Sequence, residues 1–435
     1  MVFYNLIAIP SLFILFQLVM RLAGRTRVGA KIRQGHEGRR HMFASLARQV
    51  QDFPAAAPRF WVHAASMGEC EQAMPLLDEI GRRFPGCVRV LTVFSPSAYR
   101  HLASRSLPAE VFCYLPIDTR ANARRFLQLV NPIAGVVIRH DYWPNFIWQA
   151  QRRGVFLLLA DASVSANAAT KRHWPGVRQF NHEVLANFAV IAAVSAGAAE
   201  SLRPLLRHPE RLRILGDTRH DQVLRRAQQA NPAGILPASW RPNGPVLVAG
   251  STWPSDEEVL LPAFVAARRQ VPGLHMILVP HEPTPAHLAE LEQRFQEHHV
   301  RGARLSQPQQ AANAAILLVD RVGVLAELYG AGQIAFIGGS FGAGVHSVLE
   351  AAAHGVPVLF GPRMNNSPEA LEMKATGLGK VVTDAATCEA RLLELLQNPT
   401  TREEVGRQCR AFVEAKAGAA SRLAELLELQ FKTQD

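Results

Sequence analysis

The chain has 435 residues, 48% of them hydrophobic and 19% charged, a composition that excludes a disordered polypeptide and suits two cores, in domains of about 180 residues each, better than one. Its formal charge of +11 is uneven: the first forty residues carry seven Arg or Lys against one acid, Glu37, and so hold +6 of it. Basic character that lies largely in one short segment gives no reason to expect a nucleic-acid partner.

Val2–Met20 is a 19-residue run without a charge, interrupted by Asn5, Pro10, Ser11 and Gln17. That length is just enough for a membrane-spanning helix. The basic stretch Arg21–Arg40 follows it directly, which predicts an uncleaved anchor with the globular part on the cytoplasmic face of the inner membrane, against anionic lipids. Within this collar Lys31, Arg33, Arg39 and Arg40 are candidate phosphate partners. A secretory signal would need a basic segment before the run and a small-x-small site after it, and neither is present.

From Arg59 onward short apolar runs alternate with longer amphipathic ones, the pattern of a parallel α/β sheet. Strands are expected at 60–64, 88–94, 133–138, 155–159, 190–194 and 212–215. The first strand runs into HAASMGECEQAMPLL, placing Ser66, Gly68 and Glu69 where the chain leaves the carboxyl edge of the sheet and starts a helix. The helix dipole favours negative charge there, and a carboxylate can take a proton from an attacking hydroxyl. Ser66 and Glu69 also have the spacing of a capping box, so a structural role stands beside the catalytic one. RHDYWPN, 139–145, puts Asp141, Trp143 and Asn145 at the same edge, as ligand-binding or loop-packing residues. GDTRHD, 216–221, supplies Arg219 and Asp221, either to a ligand or to a salt-bridged hinge.

QQANPAGILPASWRPNG is rich in Pro, Gly and Asn and marks a linker, which divides the chain into 1–40 (anchor and collar), 41–226, 227–244 (linker) and 245–435. The last helix, roughly 402–430, is a candidate for crossing back to the first domain. The second half offers strands at 246–249, 275–279, 315–319, 333–337 and 356–360. Each half then reads as a Rossmann-like unit, and two such units facing a central cleft make the GT-B architecture. The segment from Ile337 to Ala370 joins an apolar run to Gly338, Gly339, Gly342 and Gly344, a helix and a second apolar run, an arrangement suited to phosphate and ribose. Glu350 is expected about two turns into that helix, facing a ribose. The loop matches neither GxGxxG nor GxxxxGK[ST], which removes the main support for dehydrogenase and ATPase readings.

The five cysteines form no CxxC pair, and the chain has no HExxH or DxD. Free thiols, no metal and no cofactor are therefore expected. HAASMGE, RHDYWPN, GDTRHD, AGSTWPSDEE (249–258), VPHE (279–282) and IGGSFGAGVHSVLEAAAHGVPVLFGP, in this order, resemble motifs of the 3-deoxy-D-manno-octulosonic acid (Kdo) transferases. The resemblance implies a membrane-associated, inverting, metal-independent enzyme that moves Kdo from CMP-Kdo to a lipid A precursor. It makes Glu69 the general base, with Ser66, Gly68, Asp141 and Arg219 positioning acceptor or sugar. It makes His281, Gly338, Gly339, Ser340, Glu350, Asn366 and Glu369 the CMP site, with Gly338, Gly339 and Ser340 cradling the phosphate. Many members have arginine at His281, glutamate at Arg139 and GGHNPLE in place of GVHSVLE. Two alternatives stand beside it: another membrane-bound GT-B nucleotide-sugar transferase, or a non-catalytic, membrane-tethered nucleotide-binding module.

Overall fold

The computed structural model describes residues 27–164 and 175–432, with Tyr4, Asn5 and Ser11. It divides into two compact units, Met1–Gln222 with Ala417–Asp435, and Val223–Lys416. The division falls inside the helix Thr218–Gln229. The residues expected as a linker, 227–244, hold the end of that helix, a short 3-10 turn at Pro232–Gly234 and a buried Trp240.

Unit 1 contains β1 (Arg59–His63), β2 (Val88–Val93), β3 (Val111–Tyr114), β4 (Ala134–Ile138), β5 (Phe156–Ala162), β6 (Val190–Ala193) and β7 (Leu212–Ile214). They form one parallel sheet in the order β3-β2-β1-β4-β5-β6-β7. A parallel sheet buried on both faces needs apolar side chains on both. In β1, Trp61 joins one core with Phe126 and Phe146, while Phe60 and Val62 join the other with Leu76 and Leu77. The helix Ala419–Lys432 closes the second core with Ala420, Leu423 and Leu427. Its first amides, of Gly418, Ala419 and Ala420, donate to the Asp221 carboxylate. Asp221, a ligand or hinge candidate in the sequence, is thus a helix cap inside unit 1.

Unit 2 repeats the plan with β8 (Val246–Thr252), β9 (His275–Pro280), β10 (Gly302–Arg304), β11 (Ile316–Leu318), β12 (Ile334–Ile337), β13 (Val358–Phe360) and β14 (Gly379–Val381), in the order β10-β11-β9-β8-β12-β13-β14. Ala335 and Ile337 of β12 face one core and Ile334 and Phe336 the other. In each unit the chain reverses its direction of winding once, between β1 and β4 and between β8 and β12. At such a switch point the flanking loops diverge and leave a crevice at the carboxyl edge.

The anchor helix expected over Val2–Met20 lies outside the described residues apart from Tyr4, Asn5 and Ser11. Among the described residues no helix is long and apolar enough to cross a membrane. The collar is helical over Arg27–Arg40. Arg39 is not available to an external phosphate: it donates to the carbonyls of Gly35, Phe94 and Leu115 and lies over the Phe94 and Tyr114 rings. Burial lowers its guanidinium to about 10.

Candidate active site

In unit 1 both loops of the switch point carry acids. β1 ends at His63, two residues lead to Ser66, and the helix Met67–Arg83 begins. Both halves of the capping box form. The Glu69 N–H donates to Ser66 Oγ at 3.4 Å; the Ser66 N–H and hydroxyl donate to Glu69 Oε2 at 2.8 and 2.9 Å. Both bonds fall on Oε2, so capping and proton abstraction can be divided between the two oxygens of one carboxylate. Gly68 lies on the same exposed turn, with nothing within 4 Å of where a Cβ would stand.

Asp141 follows β4 and comes within the field of Glu69. Burial first, and then the Glu69 charge, push its carboxyl up to about 6. Behind these two lies a polar network that joins four loops. Gln72, one turn on from Glu69, donates to Asp161 at 3.4 Å and Asp217 at 3.2 Å, and accepts from Arg139 Nε at 2.7 Å. Arg219 holds Asp217 Oδ2 at 2.8 Å, and the Thr218 N–H and hydroxyl donate to Asp161. Arg139 and Asp161 adopt left-handed φ of 64° and 53°, Asp161 at an irregularity in the pairing of β5 with β6. Such a bulge re-aims a side chain. Burial and the Asp217 charge raise the Asp161 carboxyl; burial also opposes the Asp217 charge, but Arg219 holds that group below its usual range. Unit 1 thus brings Ser66, Gly68, Glu69, Asp141 and Arg219 to one sheet edge.

In unit 2 the switch-point acids are consumed internally. The Asp256 carboxylate accepts the N–H groups of Trp253 at 2.9 Å, Gly339 at 2.7 Å and Phe341 at 3.2 Å, pinning the turn after β8 to the glycine loop after β12. Glu257 binds Thr252 Oγ1 and His287 Nε2, both at 2.8 Å. The glycines answer a need for close approach. A Cβ on Gly338 would stand 2.3 Å from the Ser251 carbonyl; on Gly339, whose φ is 89°, it would stand 2.3 Å from the Gly344 carbonyl and 2.8 Å from the His346 ring.

The cradle expected of Gly338, Gly339 and Ser340 needs correction. The Gly338 N–H donates to the Gly250 carbonyl and the Gly339 N–H to Asp256, while Ser340 is fully buried, its Oγ taking the Gly361 N–H at 2.6 Å. These three shape the loop from within. Glu350 is also nearer the loop than expected: its helix is the short Leu349–Ala353, and it sits in the first turn, 3.7 Å from Arg226. Asn366 donates to the Val345 carbonyl at 2.8 Å, and Glu369, in the first turn of the helix Pro368–Ala375, accepts from Ser367 at 3.2 Å. His281 stacks between Trp253 at 4.7 Å and His346 at 4.4 Å. Trp253 Nε1 donates to His346 Nε2 at 3.1 Å, so Nδ1 is the protonated nitrogen of neutral His346. Burial and then the charge of His281 hold the His346 ring below its ordinary value.

Gln72, Asp161 and Asp217 in unit 1, and Trp253, Asp256 and His346 in unit 2, are site-edge residues that sequence reasoning missed. The signal for Asp256 was available: TWPSD places an acid at the third helical position after a proline start. Among the described residues no group of three or more His, Cys, Asp or Glu could hold a metal ion.

A family model described as 3-Deoxy-D-manno-octulosonic-acid transferase (kdotransferase) matches residues 36–222. The chain is 27% identical over 377 residues to the 3-deoxy-D-manno-octulosonic acid transferase of Haemophilus influenzae, covering 85% of this chain and 86% of that one. It is 29% identical over 395 residues to that of Bordetella pertussis, covering 86% and 88%. Among solved structures, the UDP-GlcNAc 2-epimerase of Neisseria meningitidis bound to UDP-GlcNAc matches with a TM-score of 0.56 at 13% identity, over 85% of this chain and 99% of that one. That likeness concerns fold alone, and with it the two parallel seven-stranded sheets read as the α/β architecture of GT-B. With the motifs in order, the family model on the first sheet and relatives aligned along most of its length, the chain is similar to the 3-deoxy-D-manno-octulosonic acid transferases.

Proposed function

We propose that this protein transfers Kdo from CMP-Kdo to a lipid A precursor in lipopolysaccharide synthesis, with inversion and without a metal ion. The observation that carries the reading is the placement of Glu69: a carboxylate at the switch point of the unit that the family model matches, with one oxygen engaged by Ser66 and the second open to a substrate hydroxyl. In the reaction the acceptor oxygen attacks the anomeric carbon, its proton passes to Glu69, and the bond from that carbon to the CMP phosphate breaks. Ser66 orients the base. Gly68 leaves room for the acceptor, while Asp141 and Arg219 position acceptor or sugar.

The donor belongs to unit 2. Gly338, Gly339 and Ser340 set the loop's shape, and amides farther along it, at the start of the helix that carries Glu350, meet the negative charge that develops on the leaving phosphate. Glu350, beside Arg226, takes the ribose; His281, Asn366 and Glu369 line the nucleotide. The apolar run Val2–Met20 and the basic residues after it hold the protein on the cytoplasmic face of the inner membrane, where its acceptor lies. The other GT-B transferase and the non-catalytic module lose ground to relatives that carry the Kdo transferase name and align along most of the chain.

The test is incubation of purified full-length protein with CMP-Kdo and a tetra-acylated disaccharide acceptor. A product heavier by one or more Kdo residues, with CMP released only when acceptor is present, is expected. An unchanged acceptor mass, or CMP release that ignores the acceptor, refutes the assignment.

A further inference from the structure

Arg139 takes the first position after β4, and the backbone turns there. Its N–H still donates to the Ala160 carbonyl at 2.8 Å, continuing the pairing of β4 with β5, while its φ of 64° puts it in the left-handed region. That conformation suits Gly or Asn and is costly for a long side chain. Strain of this kind points to a use for the side chain it aims.

The bonds of that side chain show which part of it is left over. Nε donates to Gln72 Oε1 at 2.7 Å, and the Gln72 amide is itself fixed from its other end by donation to Asp161 and Asp217. Nη2 stands 3.9 Å from Asp217 Oδ2, beyond hydrogen-bond reach. That oxygen already takes Nε and Nη2 of Arg219, both at 2.8 Å. The Arg139 guanidinium is therefore held by its inner nitrogen, and its two terminal nitrogens have no hydrogen-bond acceptor among the described residues. The side chain is 26% exposed, so this outer edge can be reached. A guanidinium presented in this way matches the paired oxygens of a carboxylate or a phosphate.

The surroundings call for such a cation. Gln72 follows Glu69 by three positions on the helix Met67–Arg83, a spacing that makes the two side chains neighbours. Glu69, Asp141, Asp161 and Asp217 gather at this edge, and burial keeps the carboxyls of Asp141 and Asp161 raised, which lessens the negative charge that an incoming anion meets. In the reaction proposed above, two substrate groups are anionic: the carboxylate bonded to the anomeric carbon of Kdo, and a phosphate of the lipid A precursor. Either has to be held beside four acids without being repelled.

We propose that Arg139 binds a substrate oxyanion beside Glu69 through its terminal nitrogens, and so selects substrates that carry a carboxylate or phosphate close to the reacting atoms. This rests on the Kdo-transfer reading and names one group that the same site recognises. Purified full-length wild type, Arg139→Asn and Arg139→Lys are compared by kcat/KM, the first variant being chosen because Asn accepts a left-handed turn. With CMP-Kdo and a phosphorylated acceptor, Arg139→Asn should lose roughly 10- to 100-fold and Arg139→Lys less, with both melting midpoints close to that of the wild type.

The wild-type to Arg139→Asn ratio is then measured with a dephosphorylated acceptor, and with a donor carrying a carboxamide in place of the carboxylate. Where that donor is not turned over, its inhibition constant takes the place of kcat/KM. Collapse of the ratio toward unity on removal of the phosphate assigns Arg139 to the acceptor; collapse with the carboxamide assigns it to the sugar. A ratio that is the same for every substrate pair, or equal turnover by wild type and Arg139→Asn, overturns the proposal while Kdo transfer stands. A wild-type protein that transfers nothing removes the reaction itself, and this role of Arg139 with it.

Discussion

The two sheet edges are built on one topology and spend their acids in opposite ways. At the unit 1 edge Glu69, Asp141, Asp161 and Asp217 crowd together, and burial with mutual repulsion raises two of the four carboxyls. At the unit 2 edge Asp256 and Glu257 are fully buried, and every oxygen of theirs is met by a donor. An edge that holds protons at mid-range pH is equipped for proton transfer. An edge whose acids are saturated is equipped to stay rigid. The difference lies in the partners supplied to the acids and not in their number.

The sharpest way to break this contrast is Glu69→Gln, which keeps a side chain able to complete the capping box but removes the base. Transfer should fall by roughly 10²- to 10⁴-fold, with the melting temperature and CMP-Kdo affinity preserved; unchanged turnover would reduce Glu69 to a cap. Next comes Asp256→Ala, which strands three N–H groups. Donor affinity should drop at least about tenfold and stability by about 3 kcal/mol, measured by calorimetry and denaturant unfolding.

Gly339→Ala tests the same loop through sterics. A Cβ 2.3 Å from a carbonyl at a φ of 89° should cost roughly 1–3 kcal/mol and raise the KM for CMP-Kdo more than it lowers kcat.

A fourth prediction concerns pH. Burial raises the Asp118 carboxyl from 3.8 to about 6, against hydrogen bonds from Tyr4, Asn145 and Phe146 that favour its charged form. A folded-state value above the unfolded one means that the folded protein binds the proton more tightly. The contribution is complete below pH 3.8 and is lost as the pH rises through 6. Asp118→Asn should flatten the stability profile across that window by roughly 3 kcal/mol; an unaltered slope would show that Asp118 does not titrate there.

The smallest effect belongs to Gly68→Ala. The added methyl meets nothing within 4 Å, so stability should hold or rise by up to about 1 kcal/mol. A fall in turnover alone would then mark the place where the acceptor passes.

The central strands were legible in the sequence because parallel strands buried on both faces read as unbroken apolar runs. The three strands that escaped, β3, β10 and β14, all lie at sheet edges, and β10 and β14 are only GAR and GKV. An edge strand pairs on one side only, so its sequence is under weaker demand. At the site, positions adjacent to a strand end could be read: Glu69, Asp141 and the glycine loop all follow from where a strand stops. The Gln72 bonds to Asp161 and Asp217 bridge 89 and 145 residues, and no local pattern encodes such a pairing. The same limit explains Gly338 and Gly339, read as phosphate donors. Their composition suits that role, but the carboxylate that claims Gly339 stands 83 residues earlier in the chain.

The helix Ala419–Lys432 completes the core of unit 1 although it comes after all of unit 2, and it starts on the carboxylate of Asp221. On the ribosome, therefore, the later unit has its whole sequence in hand before the earlier one does. The first unit waits, with one apolar wall uncovered, until the helix Ala419–Lys432 has been made. A stop just before Ala419 would leave the sequence of unit 2 whole and strip that wall from the part of the protein made first.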